Sequence, residues 1–245
     1  MRAKLIIPGI LFPLLLLAVI TISFKKKAPA VLVFSKTNGF RHKSIPKGIL
    51  AIRKLGSENN FTVDATEDSL AFTEENLAKY KAIIFLSPTG NVLGEAEQKA
   101  MENYIQKGGG FVGVHAAADC EYNWPWYVKL VGASFLSHPA QQTAKLMVTD
   151  KKHIATKHLP ATWERKDEWY NFKNMNPNVN VILKIDESSY KGGKNGDNHP
   201  MAWYHAYDGG RAFYTELGHT DESFTEPAFL QHLLGGIKYA LKRKK

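Results

Sequence analysis

The sequence predicts a single α/β domain with a mostly parallel sheet and helices on both faces. Short apolar runs, typical of strands buried on both sides, alternate with segments whose apolar residues recur at helical spacing. A chain of 245 residues is long enough for one such domain with a substantial core. Alternating strands and helices favour parallel pairing with right-handed crossovers.

The first half of the domain carries this alternation. The predicted strands are Ala30–Ser35, Phe61–Asp64, Ala82–Leu86 and Phe111–Val114, and the predicted helices are Ile45–Leu55, Thr73–Lys79 and Glu95–Gln106. The last of these helices is followed by Gly108, Gly109 and Gly110, and glycine suits the left-handed conformation of a helix C-cap.

Aromatic-rich loops and longer β segments follow residue 120. The predicted strands are Ala144–Val148, Asn180–Ile185, Met201–Tyr207 and Arg211–Glu216, and the predicted closing helix is Pro227–Leu241. Asp208, Gly209 and Gly210 between the last two strands indicate a hairpin.

An apolar segment precedes this domain. Leu5–Phe24 is an uncharged run of 20 residues with basic residues on both sides, and it is long enough to span a bilayer. Ala28-Pro29-Ala30 fits the small-residue pattern of a signal-peptide cleavage site. An uncleaved membrane anchor and a cleaved signal peptide are both open. Both predict a leader over residues 1–29, a domain over residues 30–245, and an exported or membrane-anchored, periplasmic protein.

Charge and cysteine content exclude several classes. Nine of the 32 Lys and Arg residues lie in the two ends of the chain, which leaves 23 against 23 Asp and Glu in residues 28–241. The domain is therefore formally neutral and presents no basic stripe for nucleic acid. Cys120 is the only cysteine, so an intrachain disulfide and a cysteine-based zinc cluster are excluded.

The stretch Gly113-Val114-His115-Ala116-Ala117 gives the first candidate site residue, His115. Ligands of open α/β sheets bind beyond the carboxyl ends of the strands, and a reactive side chain on a tight strand-to-helix turn is held exposed there. The small neighbours of His115 permit such a turn. A structural histidine that caps a helix start is the alternative.

Two further regions carry candidate polar groups. Arg41 and His42 follow the first strand, where Arg41 can bind a hydroxyl-rich ligand and His42 can act as acid or base; a solvated surface is the alternative. Of the adjacent Asp167 and Glu168, Glu168 is the predicted inward carboxylate, since Trp169 and Tyr170 would desolvate it and raise its pKa; a solvated pair on a loop is the alternative.

Histidines also permit a metal site. His138 and His199 each precede a proline, and His219 ends the last predicted strand region. His115, His138, His199 and His219, with Glu168 or Glu216, supply ligand types that suit zinc or another divalent ion. No pair has the spacing of a zinc-binding helix, so a divalent metal is predicted only if the fold brings these residues together.

Tryptophans and tyrosines are concentrated in the second half of the chain. Aromatic rings stack on the apolar faces of sugars, and neighbouring polar groups bind the hydroxyls. Trp124 and Trp203 are the predicted sugar platforms.

Several separated stretches resemble the ThuA-like, trehalose-utilisation family over about residues 30–241. They are GFRHKSI at Gly39–Ile45, GGGFVGVHAA at Gly108–Ala117, SHP at Ser137–Pro139, DEWYNF at Asp167–Phe172, HPMAW at His199–Trp203 and GRAFYTELGH at Gly210–His219. The resemblance implies a flavodoxin-like, class I glutamine amidotransferase-like fold. Glutamine amidotransferases carry a cysteine at the turn that His115 occupies, so glutaminase chemistry is not expected.

The leading hypothesis is a carbohydrate-active protein that performs acid/base chemistry on a disaccharide or an oxidised (keto) sugar, as a hydrolase, lyase or isomerase. The predicted catalytic residues are His115, Glu168 and His219, and the predicted substrate-binding residues are Arg41, His42, Trp124, His138, His199 and Trp203. A non-catalytic carbohydrate-binding protein and a metal-dependent hydrolase are the alternatives. The predicted partner is a small carbohydrate, with the membrane through residues 5–24 if the leader is retained; a homo-oligomer is left open.

Overall fold

A computed structural model describes residues 28–242. The strands are β1 (Ala30–Phe34), β2 (Thr62–Thr66), β3 (Ala82–Leu86), β4 (Gly110–Val114), β5 (Ser134–Ser137), β6 (Gln142–Val148), β7 (Thr162–Asp167), β8 (Asn171–Lys173), β9 (Asn180–Ile185), β10 (Pro200–Tyr207) and β11 (Gly210–Thr215). The α-helices are α1 (Ile45–Glu58), α2 (Glu74–Leu77), α3 (Glu95–Gln106), α4 (Pro125–Val131) and α5 (Pro227–Leu241).

A nine-stranded sheet in the order β2-β1-β3-β4-β11-β10-β9-β6-β7 forms the centre of the fold. Five neighbouring strands pair in parallel, namely β2, β1, β3, β4 and β11. The other four, β10, β9, β6 and β7, pair antiparallel. The prediction of a mostly parallel sheet therefore holds for one half only, and the whole sheet is mixed. The reason is that β10 and β11 are joined by a tight hairpin, which permits only antiparallel pairing.

Helices cover both faces of the parallel half. The Cα of Gly110 in β4 lies against Ala240 of α5, so closely that a Cβ there would meet the Ala240 carbonyl oxygen at 2.3 Å. The next residue, Phe111, packs against Tyr127 of α4 with ring centroids 6.0 Å apart. Successive strand residues point to opposite faces, so α5 and α4 lie on opposite sides of the sheet.

The β10–β11 hairpin confirms the predicted turn. Asp208 and Gly209 have φ values of 45° and 91°. Positive φ at both central residues is typical of a type I′ turn, whose twist matches that of the paired strands.

Strand β7 was not predicted from the sequence. Its side chains alternate between exposed and buried, but two of the three buried ones are Arg165 and Asp167. A strand whose inward positions are charged lacks the apolar alternation by which strands are recognised.

Within residues 28–242, no helix combines the length and the apolar character needed to cross a bilayer. The apolar segment of residues 5–24 lies outside the described residues, so the leader stays a prediction.

A buried histidine at the α5–β11 contact leads to a pH prediction. Nδ1 of His232 lies 2.8 Å from the carbonyl oxygen of Ala155, and its Nε2 lies 3.1 Å from Thr215 Oγ1. Burial lowers the pKa of His232 to about 3. The folded state therefore binds fewer protons than the unfolded state below the ordinary histidine pKa of about 6.5. The free energy of unfolding therefore falls as the pH drops from about 6.5 to about 3, and His232 contributes up to about 1.4 kcal/mol per pH unit to this fall.

His232→Gln should therefore make the free energy of unfolding fall less steeply between pH 6 and pH 5 than in the unmodified protein. Urea unfolding at each pH measures this slope. His158→Gln is the matched control, because His158 is only partly buried. Equal slopes in the His232 variant and the unmodified protein would contradict the prediction.

Candidate functional site

Four polar side chains meet beyond the carboxyl ends of the parallel strands. His42 lies in the loop between β1 and α1, His115 follows β4 directly, and His219 lies four residues after β11. Glu168 follows β7 and approaches from the antiparallel half of the sheet. Each of these residues offers one ligand atom, and the four atoms lie within 4.8 Å of one another. The structure thus brings together all three predicted catalytic residues and His42.

His115 occupies the predicted tight turn. Its φ of 49° lies in the left-handed region, which is unfavourable for a residue other than glycine and is often found at functional sites. The side chain is fully buried, and Nδ1 lies 2.7 Å from the carbonyl oxygen of Glu216. A carbonyl oxygen can only accept, so Nδ1 carries hydrogen and Nε2 faces the cluster. The Nε2 atom lies 3.1 Å from His219 Nδ1 and 3.4 Å from Glu168 Oε2.

Glu168 lies at the centre of the site. Its Oε2 lies 3.0 Å from Nδ1 of His219, and its Oε1 lies 3.2 Å from Nδ1 of His138. Burial alone would raise the pKa of Glu168, but hydrogen bonds with His115 and His219 outweigh it and hold the pKa well below its usual range. The predicted rise in the pKa of Glu168 is therefore wrong, because imidazoles surround the carboxylate.

The charges of His115 and Glu216 are also linked. Burial by itself lowers the pKa of His115, yet hydrogen bonds with Glu168 and Glu216 raise it to about 10. Burial raises the pKa of Glu216 to about 7, although the interaction with His115 acts in the opposite direction. Oε2 of Glu216 is buried and has no hydrogen-bond partner among the described residues.

His42 is the fourth member of the cluster. Its ring meets those of His115 and His219 edge-on, with centroids 4.8 and 5.0 Å apart. Burial and the neighbouring histidines lower its pKa to about 3, so the ring is neutral. Nδ1 of His42 is buried without a hydrogen-bond partner in residues 28–242.

Asp167 holds the loop that carries His219. It accepts hydrogen bonds from the backbone N–H groups of Gly218 at 3.0 Å and His219 at 3.2 Å. The hydroxyl of Ser223 also donates to Asp167, and Arg165 forms an ion pair with it at 3.0 Å. Asp167 is therefore a positioning residue, while the adjacent Glu168 enters the cluster.

An open groove of about 430 Å³ borders the cluster at His219. Phe40, Gln141 and Asp221 are among its lining residues. The ring of Phe40 is 64% exposed and lies edge-on to His42, with centroids 4.9 Å apart. Phe40 was not among the predicted site residues, although it is adjacent to Arg41 in the sequence and lies next to His42.

His138 lies on the solvent side of the site. Its side chain is 43% exposed, and Nδ1 contacts both Glu168 Oε1 and the carbonyl oxygen of Pro139. Nδ1 therefore carries the hydrogen, and Nε2, which has no hydrogen-bond partner among the described residues, can meet a ligand.

Four of the predicted substrate-binding residues lie outside the cluster: Arg41, His199, Trp124 and Trp203. Arg41 forms a bidentate ion pair with Glu67, in which its two Nη atoms lie 2.7 and 2.9 Å from the two carboxylate oxygens. His199 is fully buried between Glu187 and the carbonyl oxygen of Tyr170, both at 2.7 Å, and does not join the cluster. It contacts Tyr170, whose ring packs against His115.

The two tryptophans do not fit the role of sugar platforms. Trp203 is completely buried, and its Nε1 donates to the carbonyl oxygen of Val131 at 2.7 Å. Trp124 is 7% exposed and stacks against Trp126 and Tyr127. Both indoles are parts of the core, where a substrate ring cannot reach them.

Solved structures share this fold. A ThuA-like protein from Bacteroides uniformis ATCC 8492 is 28% identical, with a TM-score of 0.74 over 89% of this chain and 94% of that one. A ThuA-like protein from Parabacteroides merdae ATCC 43184 is 21% identical, with a TM-score of 0.72 over 90% and 92% of the two chains. A β-galactosidase from Bacillus circulans sp. alkalophilus shares the fold alone, at 12% identity and a TM-score of 0.55 over 88% of this chain and 30% of that one.

Among curated proteins, none matches the sequence. The family model described as trehalose utilisation, ThuA, matches residues 30–240. This match spans most of the chain and includes every residue of the cluster. The chain therefore belongs to the ThuA family.

Proposed function

We propose that this protein acts on a small carbohydrate by acid/base chemistry, in which His138 transfers the proton and the Glu168 carboxylate orients and stabilises its imidazolium. The description of the ThuA family is trehalose utilisation, which indicates a carbohydrate-related role. The observation that carries the proposal is the position of Glu168, whose two carboxylate oxygens face different partners. Oε2 faces His115 and His219, and Oε1 faces the exposed His138.

The contact with Oε1 prepares His138 for proton transfer. Nδ1–H of His138 points to the carboxylate, so its free Nε2 can accept a proton from a sugar hydroxyl or from a carbon next to a carbonyl. The carboxylate then stabilises the imidazolium that forms, and the same ring can return the proton to a leaving oxygen. Disaccharides and their keto derivatives both offer such protons.

The neighbouring groove supports a ligand of this size. Its volume of about 430 Å³ falls within the usual range for small-molecule sites. The exposed Phe40 ring offers an apolar face for a pyranose, and Gln141 and Asp221 offer partners for hydroxyls.

A panel of disaccharides and their keto derivatives tests the proposal. The full chain is incubated with each sugar in D₂O, and NMR records both cleavage and deuterium uptake next to the carbonyl. We expect conversion or exchange with one sugar class. Binding of that class without any chemical change would overturn the proposal and favour a non-catalytic carbohydrate-binding protein.

His138→Ala should lower the rate of that reaction by about 100-fold, because a general acid/base group contributes about 10²- to 10⁴-fold. The measurement is the initial rate at saturating sugar. His153→Ala is the control, since His153 stacks on Tyr204. An unchanged rate in the His138 variant would remove this residue from the mechanism.

A further inference from the structure

We propose that His42, His115, His219 and Glu168 bind one divalent transition-metal ion, of which Zn²⁺ is the best match. This inference goes beyond the proposed acid/base function and does not depend on it. The four residues come from separate loops at one edge of the sheet, and each offers one ligand atom that lies within 4.8 Å of the other three.

The distances between ligand atoms fit a tetrahedral ion. Nε2 of His115, Nδ1 of His219 and Oε2 of Glu168 are separated by 3.0, 3.1 and 3.4 Å. Ligand atoms about 2.0 to 2.1 Å from a tetrahedral zinc lie about 3.3 Å from one another. Three of the four ligands therefore already have the required spacing.

His42 completes the set. Its nitrogen lies within 4.8 Å of the other ligand atoms, whereas the ligand atoms of a tetrahedral zinc lie about 3.3 Å apart. A shift of the His42 ring by at most about 1.5 Å towards the other three ligands would therefore complete the tetrahedron. Only 3% of the His42 residue is exposed, and its Nδ1 has no hydrogen-bond partner within the described part of the chain. A buried nitrogen without a hydrogen-bond partner is unfavourable, and a metal ion would supply the missing partner.

The surroundings resemble those of bound metals in two respects. The hydrogen bond from Nδ1 of His115 to the Glu216 carbonyl oxygen fixes the ring so that Nε2 can act as a ligand. Glu168 and Glu216 also place two carboxylates around His115, at 3.4 and 3.6 Å. A dication would balance both of these buried groups.

The ligand types select the class of metal. Three imidazole nitrogens and one carboxylate oxygen suit Zn²⁺, Co²⁺ and related ions, whereas Mg²⁺ and Ca²⁺ prefer oxygen ligands alone. His219 remains partly exposed beside the groove, so an oxygen of a ligand can approach from that side.

Metal titration of the full chain, purified without a histidine tag and treated with a chelator, tests the inference. Calorimetry with Zn²⁺ and visible absorption with Co²⁺ should both saturate at one ion per chain, with Mg²⁺ giving no signal. Circular dichroism confirms that the chelator-treated protein is folded. A folded protein that takes up no stoichiometric Zn²⁺ or Co²⁺ would overturn the inference, whatever the sugar assays give.

Variants then identify the ligands. His42→Ala and His219→Ala should each weaken Co²⁺ binding by more than about 100-fold, since loss of even an outer hydrogen-bond partner costs about 10- to 100-fold. His158→Ala is the control, because His158 contacts the carbonyl oxygen of Ala228 in α5. Equal Co²⁺ affinity in the folded His42 variant and the unmodified protein would overturn the proposed ligand set.

Discussion

Glu168→Gln is expected to lower the rate of sugar conversion by about 10²- to 10⁴-fold while leaving the protein folded. The amide has nearly the same shape as the carboxylate but no negative charge, so it can neither stabilise an imidazolium on His138 nor balance the charge of His115. Both of these histidines lie within 3.4 Å of the carboxylate. The measurement is kcat on the sugar class that the unmodified protein converts, with the melting temperature followed in parallel.

Glu164→Gln is the matched control for this experiment. Glu164 lies in β7, four residues before Glu168, but its side chain points to solvent. The same chemical change there should leave kcat within about twofold of the unmodified protein, because substitution of an exposed side chain away from the site has little effect. If Glu168→Gln retained full activity, Glu168 would be a structural charge and the proposed acid/base chemistry would fail.

The parallel half of the fold could be predicted almost entirely from the sequence. The bounds of β3, α3 and α5 agree with the predicted ones. An apolar run or an amphipathic stripe in the sequence indicates which faces of a strand or helix are buried, and therefore where the element begins and ends. The position of His115 at a tight turn was also predictable, since small residues follow a buried strand there. Each of these signals lies within the segment whose structure it predicts, so no knowledge of distant contacts is needed to read it.

The partners within the site were less predictable. Nothing near Arg41 in the sequence indicates that Glu67, 26 residues away, binds its guanidinium instead of leaving it for a ligand. The selection of Trp203 as a platform failed for a similar reason, because sequence alone does not separate a buried indole from an exposed one. Phe40 carries the exposed ring, and only its position beside His42 could have indicated this.

The electrostatic prediction for Glu168 had the wrong sign for a physical reason. Aromatic neighbours in sequence imply desolvation, which raises a carboxyl pKa. Hydrogen bonds with the imidazoles of His115 and His219, which approach within 3.4 Å from other parts of the chain, more than compensate for it. Long-range charge contacts therefore decide the protonation state of this residue, and such contacts are known only once the fold is known.

Asp167→Ala is expected to have the largest effect on stability, a loss of about 3–5 kcal/mol in the free energy of unfolding. The carboxylate is fully buried and pairs with Arg165, which is itself only 7% exposed. Its removal leaves a buried guanidinium without this partner and leaves the N–H groups of Gly218 and His219 without an acceptor. Breaking one side of a buried pair costs more than the pair contributes, because the remaining charge cannot return to water.

Urea unfolding at pH 7 measures this loss, with Asp197→Ala as the exposed control. Asp167→Asn should be less damaging than Asp167→Ala, since the amide oxygen can still accept from one of the two N–H groups. Because the same N–H groups fix the loop that carries His219, Asp167→Asn should also weaken Co²⁺ binding by about 10- to 100-fold, as for other outer partners of metal ligands. A stability loss of less than about 1 kcal/mol in Asp167→Ala would mean that Glu226, the other partner of Arg165, is sufficient to hold its charge.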